Sequence, residues 1–278
     1  MKYKLLAVDL DGTLLRRDGS IHPEDRAAVA RLLAHGVPVT IVTGRLYSGS
    51  REIAHTVELA GPIACADGSH IVELSDERDL FYRAIPTEDV EALRATLARH
   101  EAASFLFAPE GIVHDEVGAP FVAYVKTWSP NVNLVDRVVE HASWGHARGL
   151  LAVISVGSSA QIEAAAGELS SQLSPGTAVV TFPISSRLVG FHAMLVRAAG
   201  PTKGTAVEWL ARYHGCSVEE VVAIGDWLND LPMFKVAGRS FAMRGAPAAV
   251  RNAASDGLDA EGGEGRGVAE AIAKSWGL

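Results

Sequence analysis

The chain has 278 residues, of which 48% are hydrophobic, 21% are charged and 6% are aromatic. This composition is that of a globular protein, and it excludes a disordered chain, a collagen-like repeat and a coiled coil. The formal net charge of −8 disfavours general binding to nucleic acids or anionic membranes, which requires a basic surface. A small anionic substrate remains compatible with it, because local charge can oppose the net sign. At roughly 150 residues per domain, the length predicts two domains or one large one.

Two cysteines, Cys65 and Cys216, are too few for a disulfide framework, and they favour a reducing compartment. No uninterrupted apolar run in the sequence approaches the ~18 residues that a membrane helix needs. The apolar start of the chain is interrupted by Asp9 and Asp11, before it reaches the length of a signal peptide. We therefore expect a cytoplasmic protein with no membrane partner.

The chain opens with an alternation of strand and helix. Residues 4–9 form a short apolar run, typical of a buried strand. A helix is predicted over Pro23–His35, because proline suits the first helical position and Gly36 follows the end. The β-branched run Val37–Val42 predicts a second strand. This order is typical of a parallel sheet covered by helices.

The middle of the chain has a different pattern. After a linker over residues 83–86, the predicted elements are helices over Thr87–His100 and after Ser158, and strands over Ser104–Ala108, Gly111–His114, Leu150–Val156, Thr177–Phe182 and Leu188–Phe191. Such a set is sufficient for an independent α+β unit. We therefore predict an inserted domain over residues 84–190, while residues 1–83 and 191–278 fold together as one core domain.

The strand and helix alternation returns near the C-terminus. The predicted elements are a helix over Thr205–Tyr213, a short turn with capping-box spacing at Ser217 and Glu220, a strand over Val221–Gly225, a glycine-rich surface loop over Gly257–Gly267, and a helix over Val268–Ser275. These elements extend the parallel sheet that the first part of the chain begins.

Carboxylates follow two of the predicted core strands. Asp9 and Asp11 follow the first strand, and Asp226 and Asp230 follow the strand over Val221–Gly225. In an open parallel sheet, ligands bind beyond the carboxyl ends of the strands, so these side chains should meet at one edge. Four crowded carboxylates repel one another, and a hard divalent cation relieves that repulsion. Mg²⁺ is the first choice, since it prefers oxygen ligands.

Groups that bind anions accompany the carboxylates. Gly12 permits close approach of the backbone, Thr43 offers a hydroxyl, and Gly44 offers an N–H group. Lys203 precedes a predicted helix and would bring both a cation and a helix N-terminus. Carboxylates, Mg²⁺ and an anion cradle together describe a phosphoryl-transfer site.

These motifs, in this order, resemble the haloacid dehalogenase (HAD) superfamily of phosphohydrolases, and within it the Cof-type group with a C2B cap. The matching segments are Asp9-Leu10-Asp11-Gly12-Thr13, Thr43 in Val42-Thr43-Gly44-Arg45, Lys203, and Gly225-Asp226 through Asn229-Asp230. The resemblance covers essentially the whole chain. It implies an α/β fold: a Rossmann-like parallel-sheet core of the HAD type with an inserted α+β cap of the C2B type.

The resemblance also implies roles for the motif residues. Asp9 would be the nucleophile and Asp11 the general acid and base. The metal ligands would come from Asp9, the backbone carbonyl of Asp11, and Asp226, with Asp230 supporting the metal shell. The phosphate-binding residues would be Gly12, Thr43, Gly44, Lys203 and Asn229. A carboxylate at position 11 favours a phosphatase or phosphomutase over a dehalogenase or an ion-pumping ATPase of this superfamily.

Three departures from the family pattern bear on substrate choice. Asp67 stands where relatives often carry Asn, and a solvated turn is favoured there over a contact with substrate. Where relatives often read Ala-Met-Gly-Asn-Ala, this chain reads Ala242-Met243-Arg244-Gly245-Ala246, so it lacks that Asn and gains Arg244 near the crevice. Trp227 is bulkier than the usual residue, and would either narrow the pocket or pack under its loop.

The inserted domain is expected to exclude water and to select the leaving group. Arg45 is one candidate specificity residue, because it follows the Thr43 motif. Further candidates are His114, Asp115, Trp128, Arg148 and Arg187. For each of these five, a packing or surface role is the more common alternative.

The leading hypothesis is a Mg²⁺-dependent phosphatase that hydrolyses a small phosphate monoester, such as a sugar phosphate, through an aspartyl-phosphate. A phosphomutase and a phospho-ligand-binding protein without turnover are the alternatives. The expected partner is a small phosphorylated metabolite, with no nucleic acid, and the protein is expected to be a monomer or a homodimer.

Overall fold

The structure is a computed structural model, and it describes residues 1–184 and 190–278. Its strands are β1 (Leu5–Val8), β2 (Val39–Ile41), β3 (Pro62–Cys65), β4 (His70–Glu73), β5 (Asp79–Tyr82), β6 (Ala103–Ala108), β7 (Gly111–His114), β8 (Val132–Leu134), β9 (Ala152–Ser158), β10 (Thr177–Pro183), β11 (Phe191–Ala198), β12 (Val221–Gly225), β13 (Arg239–Ala242) and β14 (Asp256–Gly257).

The α-helices of the same residues lie between these strands and after the last one. They are α1 (Pro23–Ala34), α2 (Arg51–Thr56), α3 (Thr87–His100), α4 (Val122–Val125), α5 (Ser159–Gln172), α6 (Lys203–Tyr213), α7 (Leu231–Val236), α8 (Ala248–Ala253) and α9 (Gly267–Trp276). No helix of the described residues is both long and apolar enough to cross a membrane.

The chain divides into two compact units. The first comprises Met1–Gly44, Ser50–Tyr82 and Pro201–Leu278, and the second comprises Arg45–Gly49 and Arg83–Gly200. The parallel sheet lies in the first unit and a separate, mainly antiparallel sheet lies in the second, so the predicted α/β fold class is confirmed. The sequence interpretation ends the insertion at residue 190. The structure continues the second unit to Gly200 because β11 pairs with β9 and β10.

A five-stranded parallel sheet forms the centre of the first unit, in the order β14-β13-β12-β1-β2. Every residue of β1 and β12 is buried, as expected for strands covered on both faces. Their register pairs Leu5 with Val221 and Val8 with Ile224, and the Asp9 N–H donates to the Ile224 carbonyl at 3.0 Å. Segments that are more than two hundred residues apart in sequence therefore end side by side.

A small antiparallel sheet completes the first unit. It has the order β3-β4-β5, and Val42 forms an isolated bridge to Ala64 of β3. Strands β4 and β5 are not evident from the sequence, because strands of four residues carry no long periodic pattern. Their importance is positional, because β3 leads into the turn at Ala66–Gly68, which contacts the site described below.

The second unit has a six-stranded sheet in the order β10-β11-β9-β6-β7-β8, in which only the β7–β8 pairing is parallel among the described residues. Residues of α3 and α5 share a core with β6, β9 and β11 that includes Leu93, Leu106, Ile162 and Met194. The segment Arg45–Gly49 belongs to this unit as well. Within it, the Leu46 N–H donates to the Trp128 carbonyl at 2.9 Å.

Several predicted elements agree closely with the structure, including the helix Thr87–His100 and the strand Val221–Gly225. The strand predicted over Leu150–Val156 lies instead at Ala152–Ser158. Ser158 does cap α5, accepting a hydrogen bond from the Gln161 N–H, but the Gln161 side chain donates to the His100 carbonyl instead of closing a capping box. Of the strand predicted over Leu188–Phe191, Leu188 and Val189 lie outside the described residues, and β11 begins at Phe191.

Asp25 of α1 fixes the start of α9. Its carboxylate is buried, and it accepts hydrogen bonds from the N–H groups of Arg266 at 2.6 Å and Ala269 at 2.8 Å. The first N–H groups of a helix have no partner within the helix, so a carboxylate placed there satisfies them. The two helices that join the first and last parts of the chain are therefore tied by this one side chain.

We expect Asp25→Ala to lower the free energy of unfolding by about 1–3 kcal/mol, since it leaves buried N–H donors without acceptors. Urea denaturation measures this. Glu24→Ala is the control, because Glu24 reaches Arg266 in an exposed ion pair of 3.2 Å, which should contribute little. Equal effects of the two substitutions would contradict the assignment.

Candidate active site

The site is built where β1 and β12 end. Asp9 directly follows β1 and is 5% exposed. Gly12, three residues later, has a φ of 78°, and a Cβ there would lie only 2.2 Å from Asp226 Oδ2. Only glycine suits both the backbone conformation and the close approach. The loop after β1 can thus pass directly against the loop after β12.

Lys203 is the buried cation of the site. Its side chain is 1% exposed, and Nζ donates to Asp9 Oδ1 and to Asp230 Oδ1, each at 2.6 Å. Thr202 caps α6 in a capping box with Thr205, so Lys203 is the first residue of the helix. The cap therefore sets the position of the ammonium group between two carboxylates.

Asp230 shapes the loop after β12. It is fully buried, and its Oδ2 accepts hydrogen bonds from the N–H groups of Asp226 at 2.8 Å and Trp227 at 2.9 Å. A Cβ at Gly225 would lie 2.3 Å from Asp230 Oδ2, so glycine is required for this approach. Both oxygens of Asp230 thus already bond protein groups, which suits a residue that orients Lys203 and Asp226.

Burial and neighbouring negative charges disfavour ionisation of two carboxyl groups of the site, Asp9 and Asp226. Burial, together with Asp230 and Asp226, raises the pKa of Asp9 well above its ordinary value despite Lys203. Burial, followed by the charge of Asp230, raises the pKa of Asp226 to about 7. Burial disfavours the charge on Lys203, but Asp230, Asp9 and, more weakly, Asp67 hold its pKa above the ordinary value. One ammonium group does not balance this cluster.

A divalent cation fits this donor set. Asp9, Asp226 and Asp230 each offer a carboxylate oxygen within 4.8 Å of the others. Because Asp230 is already bonded on both oxygens, Asp9 and Asp226 are the better candidates for direct ligands. The raised pKa values of both carboxyl groups show that added positive charge would be favourable there.

The proposed phosphate-binding segment follows β2. Thr43 is buried, and its N–H donates to the Ala64 carbonyl at 2.9 Å. Its own carbonyl accepts a hydrogen bond from the Asp67 N–H at 3.0 Å. The backbone of Thr43 and Gly44 is therefore held between the end of β2 and the turn after β3.

Asp67 differs from the expected solvated turn. It does lie in a turn, with φ 51° and ψ 33°, but its side chain is half-buried, and Oδ1 accepts a hydrogen bond of 2.9 Å from Asn229 Nδ2. Two loops that follow different strands are joined by this contact. Asp67 thus takes part in the hydrogen bonds of the site.

The other predicted residues of the first unit lie at the surface or in loops. Asp11 is exposed in the loop after β1. Trp227 is 55% exposed, so it does not pack under its loop. Arg244 is exposed, and its N–H donates to the Ala260 carbonyl at 3.0 Å.

The predicted residues of the second unit take a different place. Arg45 donates through Nη1 to the Gly49 carbonyl at 3.1 Å, within the segment that belongs to that unit. His114 is buried against Phe105, with Nδ1 2.8 Å from the Asp115 carbonyl, as the packing alternative expects. Arg187 lies outside the described residues.

The glycine-rich stretch Gly257–Gly267 is more than the predicted surface loop. Gly263 and Gly265 are buried, and the Gly263 N–H donates to the Gly12 carbonyl at 2.9 Å. The run of glycines was visible in the sequence, but its partner was not, because the contact joins segments about 250 residues apart. This loop supports the backbone that carries Gly12.

A family model described as haloacid dehalogenase-like hydrolase matches residues 6–272. The chain belongs to this family. The resemblance inferred from the motifs is therefore confirmed, and so is the expectation of a hydrolase that acts on phosphoric monoesters. The match runs through both units of the structure.

Individual proteins of known name or structure are also similar to this chain along most of its length. A 5-amino-6-(5-phospho-D-ribitylamino)uracil phosphatase of Bacillus subtilis is 28% identical over 268 residues, covering 87% of this chain and 88% of the relative. An HMP-PP phosphatase of Yersinia pseudotuberculosis is 26% identical over 255 residues, covering 88% and 85%. A solved haloacid dehalogenase-like hydrolase from Bacteroides thetaiotaomicron is 25% identical, with a TM-score of 0.82, covering 98% of this chain and 99% of that one.

The raised pKa of Asp226 predicts a pH dependence for the metal-free protein. The folded state holds a proton on Asp226 up to about pH 7, whereas the unfolded chain releases it near the ordinary value of 3.8. The folded state thus binds more protons in this window, and Asp226 makes stability fall as pH rises through it. We expect Asp226→Asn to remove this loss in the free energy of unfolding between pH 4 and pH 7, which should be about 1 kcal/mol or more.

Urea denaturation at pH 4 and pH 7, in chelator, measures the difference between the two proteins. Addition of a divalent cation should restore stability at pH 7 in the unsubstituted protein and much less in Asp226→Asn. An identical pH profile for both proteins would contradict the predicted titration.

Proposed function

We propose that the protein is a Mg²⁺-dependent phosphatase that hydrolyses a small phosphate monoester through an aspartyl-phosphate on Asp9. The observation that carries the proposal is the placement of Asp9 at the end of β1, where Lys203 holds it and Asp226 lies beside it. A carboxylate oriented by a buried ammonium group, within an otherwise acidic cluster, is suited to attack a phosphoryl group whose charge is neutralised.

Mg²⁺ is the proposed cofactor because the donors are hard oxygens. The carboxylates of Asp9 and Asp226 and the backbone carbonyl of Asp11 would hold it. When bound, it supplies positive charge that allows an anionic phosphate to approach the acidic cluster. The proposed donors all belong to the two loops after β1 and β12, which the Gly12–Asp226 contact brings together.

Residues of this chain perform the remaining steps. Thr43, Gly44 and Lys203 would bind the phosphate oxygens. Lys203 also opposes the rise in the pKa of Asp9 that burial and the neighbouring carboxylates cause, and a bound cation would favour the ionised form further. Asp9 attacks phosphorus in line, and the bond to the ester oxygen breaks. Asp11 gives a proton to that oxygen, then removes one from the water that hydrolyses the aspartyl-phosphate. Its exposure suits an acid that exchanges protons with substrate and solvent.

The relatives support a small phosphorylated metabolite as the substrate. Their names specify a phosphorylated ribitylamino-uracil and HMP-PP. We propose a compound of this kind, such as a sugar phosphate, and we propose that the second unit, with Arg45 and the cap candidates, selects its leaving group. The phosphomutase alternative would pass the phosphoryl group to a second hydroxyl and release no inorganic phosphate.

Asp9→Asn should abolish phosphate release from a panel of small phosphate esters, at least a hundredfold, because an amide is not a nucleophile for phosphorus. Chelation of divalent cations should abolish release by the unsubstituted protein, and Mg²⁺ should restore it. Asp76→Asn is the matched control, since this exposed carboxylate lies outside the site. No release from any ester by the folded, Mg²⁺-loaded protein would contradict the phosphatase; transfer to a sugar hydroxyl would support the mutase.

Asp11→Asn separates the two proton transfers. A nitrophenyl ester has a leaving group that needs no acid, so Asp9 should still become phosphorylated, whereas hydrolysis of the aspartyl-phosphate lacks its base. We expect one rapid burst of nitrophenol per protein molecule, followed by turnover about 10²–10⁴-fold slower. Rapid mixing measures the burst. Turnover of the nitrophenyl ester by this variant at the unsubstituted rate would exclude Asp11 as the base that activates water.

A further inference from the structure

The turn Ala66–Gly68 contacts three separate parts of the site. Its Asp67 N–H donates to the Thr43 carbonyl, and the Asp67 side chain accepts from Asn229. Gly68 packs against α6, since a Cβ there would lie 2.6 Å from the Thr202 carbonyl. The segments that bear Thr43, Asn229 and Lys203 therefore all meet one turn.

The backbone of this turn is strained, and its conformation positions the Asp67 side chain. Ala66, Asp67 and Gly68 have consecutive positive φ values of 48°, 51° and 93°. Non-glycine residues adopt this region rarely, although Asp and Asn tolerate it better than others. The conformation places the Asp67 side chain against Gly44: a Cβ on Gly44 would lie 3.3 Å from Asp67 Oδ1 and 3.7 Å from Asn229 Nδ2.

The charge of Asp67 determines which way the Asn229 carboxamide faces. An ionised carboxylate can only accept hydrogen bonds, so Asn229 must turn its NH₂ group, and not its oxygen, toward Asp67. That nitrogen has two hydrogens, of which Asp67 Oδ1 takes one at 2.9 Å. The second can be given to a ligand that lies over Gly44. An asparagine at position 67 would accept either orientation, because it both donates and accepts.

We propose that Asp67 is a positioning residue, which fixes the carboxamide of Asn229 so that its nitrogen donates to the phosphoryl group over Gly44. This assignment rests on the proposed function, because it takes the phosphate to lie at Thr43 and Gly44. Asp67 itself does not bind the phosphate. The negative charge of Asp67 opposes the binding of phosphate, but it orients the neutral Asn229 carboxamide, which donates to the phosphate.

A double-mutant cycle in phosphate binding tests the proposal. The probe is orthophosphate, titrated by calorimetry into Mg²⁺-loaded protein that is unsubstituted or carries Asp67→Asn, Asn229→Ala, or both. Asp67→Asn keeps the size of the side chain and tolerates the positive φ. Asp76→Asn serves as the control for loss of a carboxylate in the same unit. Thermal unfolding of each variant reports on the fold.

We expect Asn229→Ala to weaken orthophosphate binding by about tenfold or more, as for loss of a hydrogen bond to a charged acceptor. In each background, the Kd measured with Asp67→Asn is divided by the Kd measured with Asp67. This ratio should be at least threefold larger, roughly, with Asn229 present than in the Asn229→Ala background. Simple removal of charge would tighten binding equally in both backgrounds. A purely structural role would lower thermal stability and weaken binding equally in both.

The outcomes separate this assignment from the proposed function. Equal ratios in the two backgrounds, with orthophosphate still bound by the unsubstituted protein, would overturn the role of Asp67 alone. Absence of orthophosphate binding by the unsubstituted, Mg²⁺-loaded protein would overturn the proposed function and this assignment with it. A ratio at least about threefold larger with Asn229 present supports both, and a smaller ratio with Asn229 present would overturn the role of Asp67.

Discussion

The rest of the site depends on two buried ion pairs, which the ammonium group of Lys203 forms with Asp9 and with Asp230. Two carboxylates at the ends of different strands would repel each other in a dry environment, and the cation makes their approach possible. Removing one member of such a buried group leaves uncompensated charge, which typically costs about 3–5 kcal/mol. The ammonium group therefore serves the fold as well as the proposed chemistry.

The same cluster remains incomplete without further positive charge. Asp226 lies beside the pair, and its pKa is raised because burial and Asp230 oppose its ionisation. Proteins tolerate such strain at functional sites because a ligand can relieve it. Here a divalent cation would relieve it, and the added positive charge would then allow an anionic phosphate to bind. The proposed affinity for the metal thus arises because a bound cation removes the repulsion between the assembled carboxylates.

Close backbone approach makes this crowding possible. Gly12 and Gly225 each stand where a Cβ would overlap a carboxylate oxygen of the site, of Asp226 and Asp230 respectively. Outside these loops, the Gly263 N–H donates to the Gly12 carbonyl, and the turn at Asp67 links Thr43 to Asn229. Segments from five parts of the chain thus meet at the site.

The sequence by itself determined the fold class, the family and the order of the motifs, because apolar strand runs, helix caps and short aspartate and glycine motifs are local signals. It also predicted that the ends of β1 and β12 meet, since parallel strands share an edge. Only the tertiary structure decided which side chains pair. The Lys203–Asp230 bond, the Asp67–Asn229 bond and the contact of Gly263 with Gly12 join distant segments. No local pattern encodes such contacts, because they depend on how the loops fold over the finished sheet.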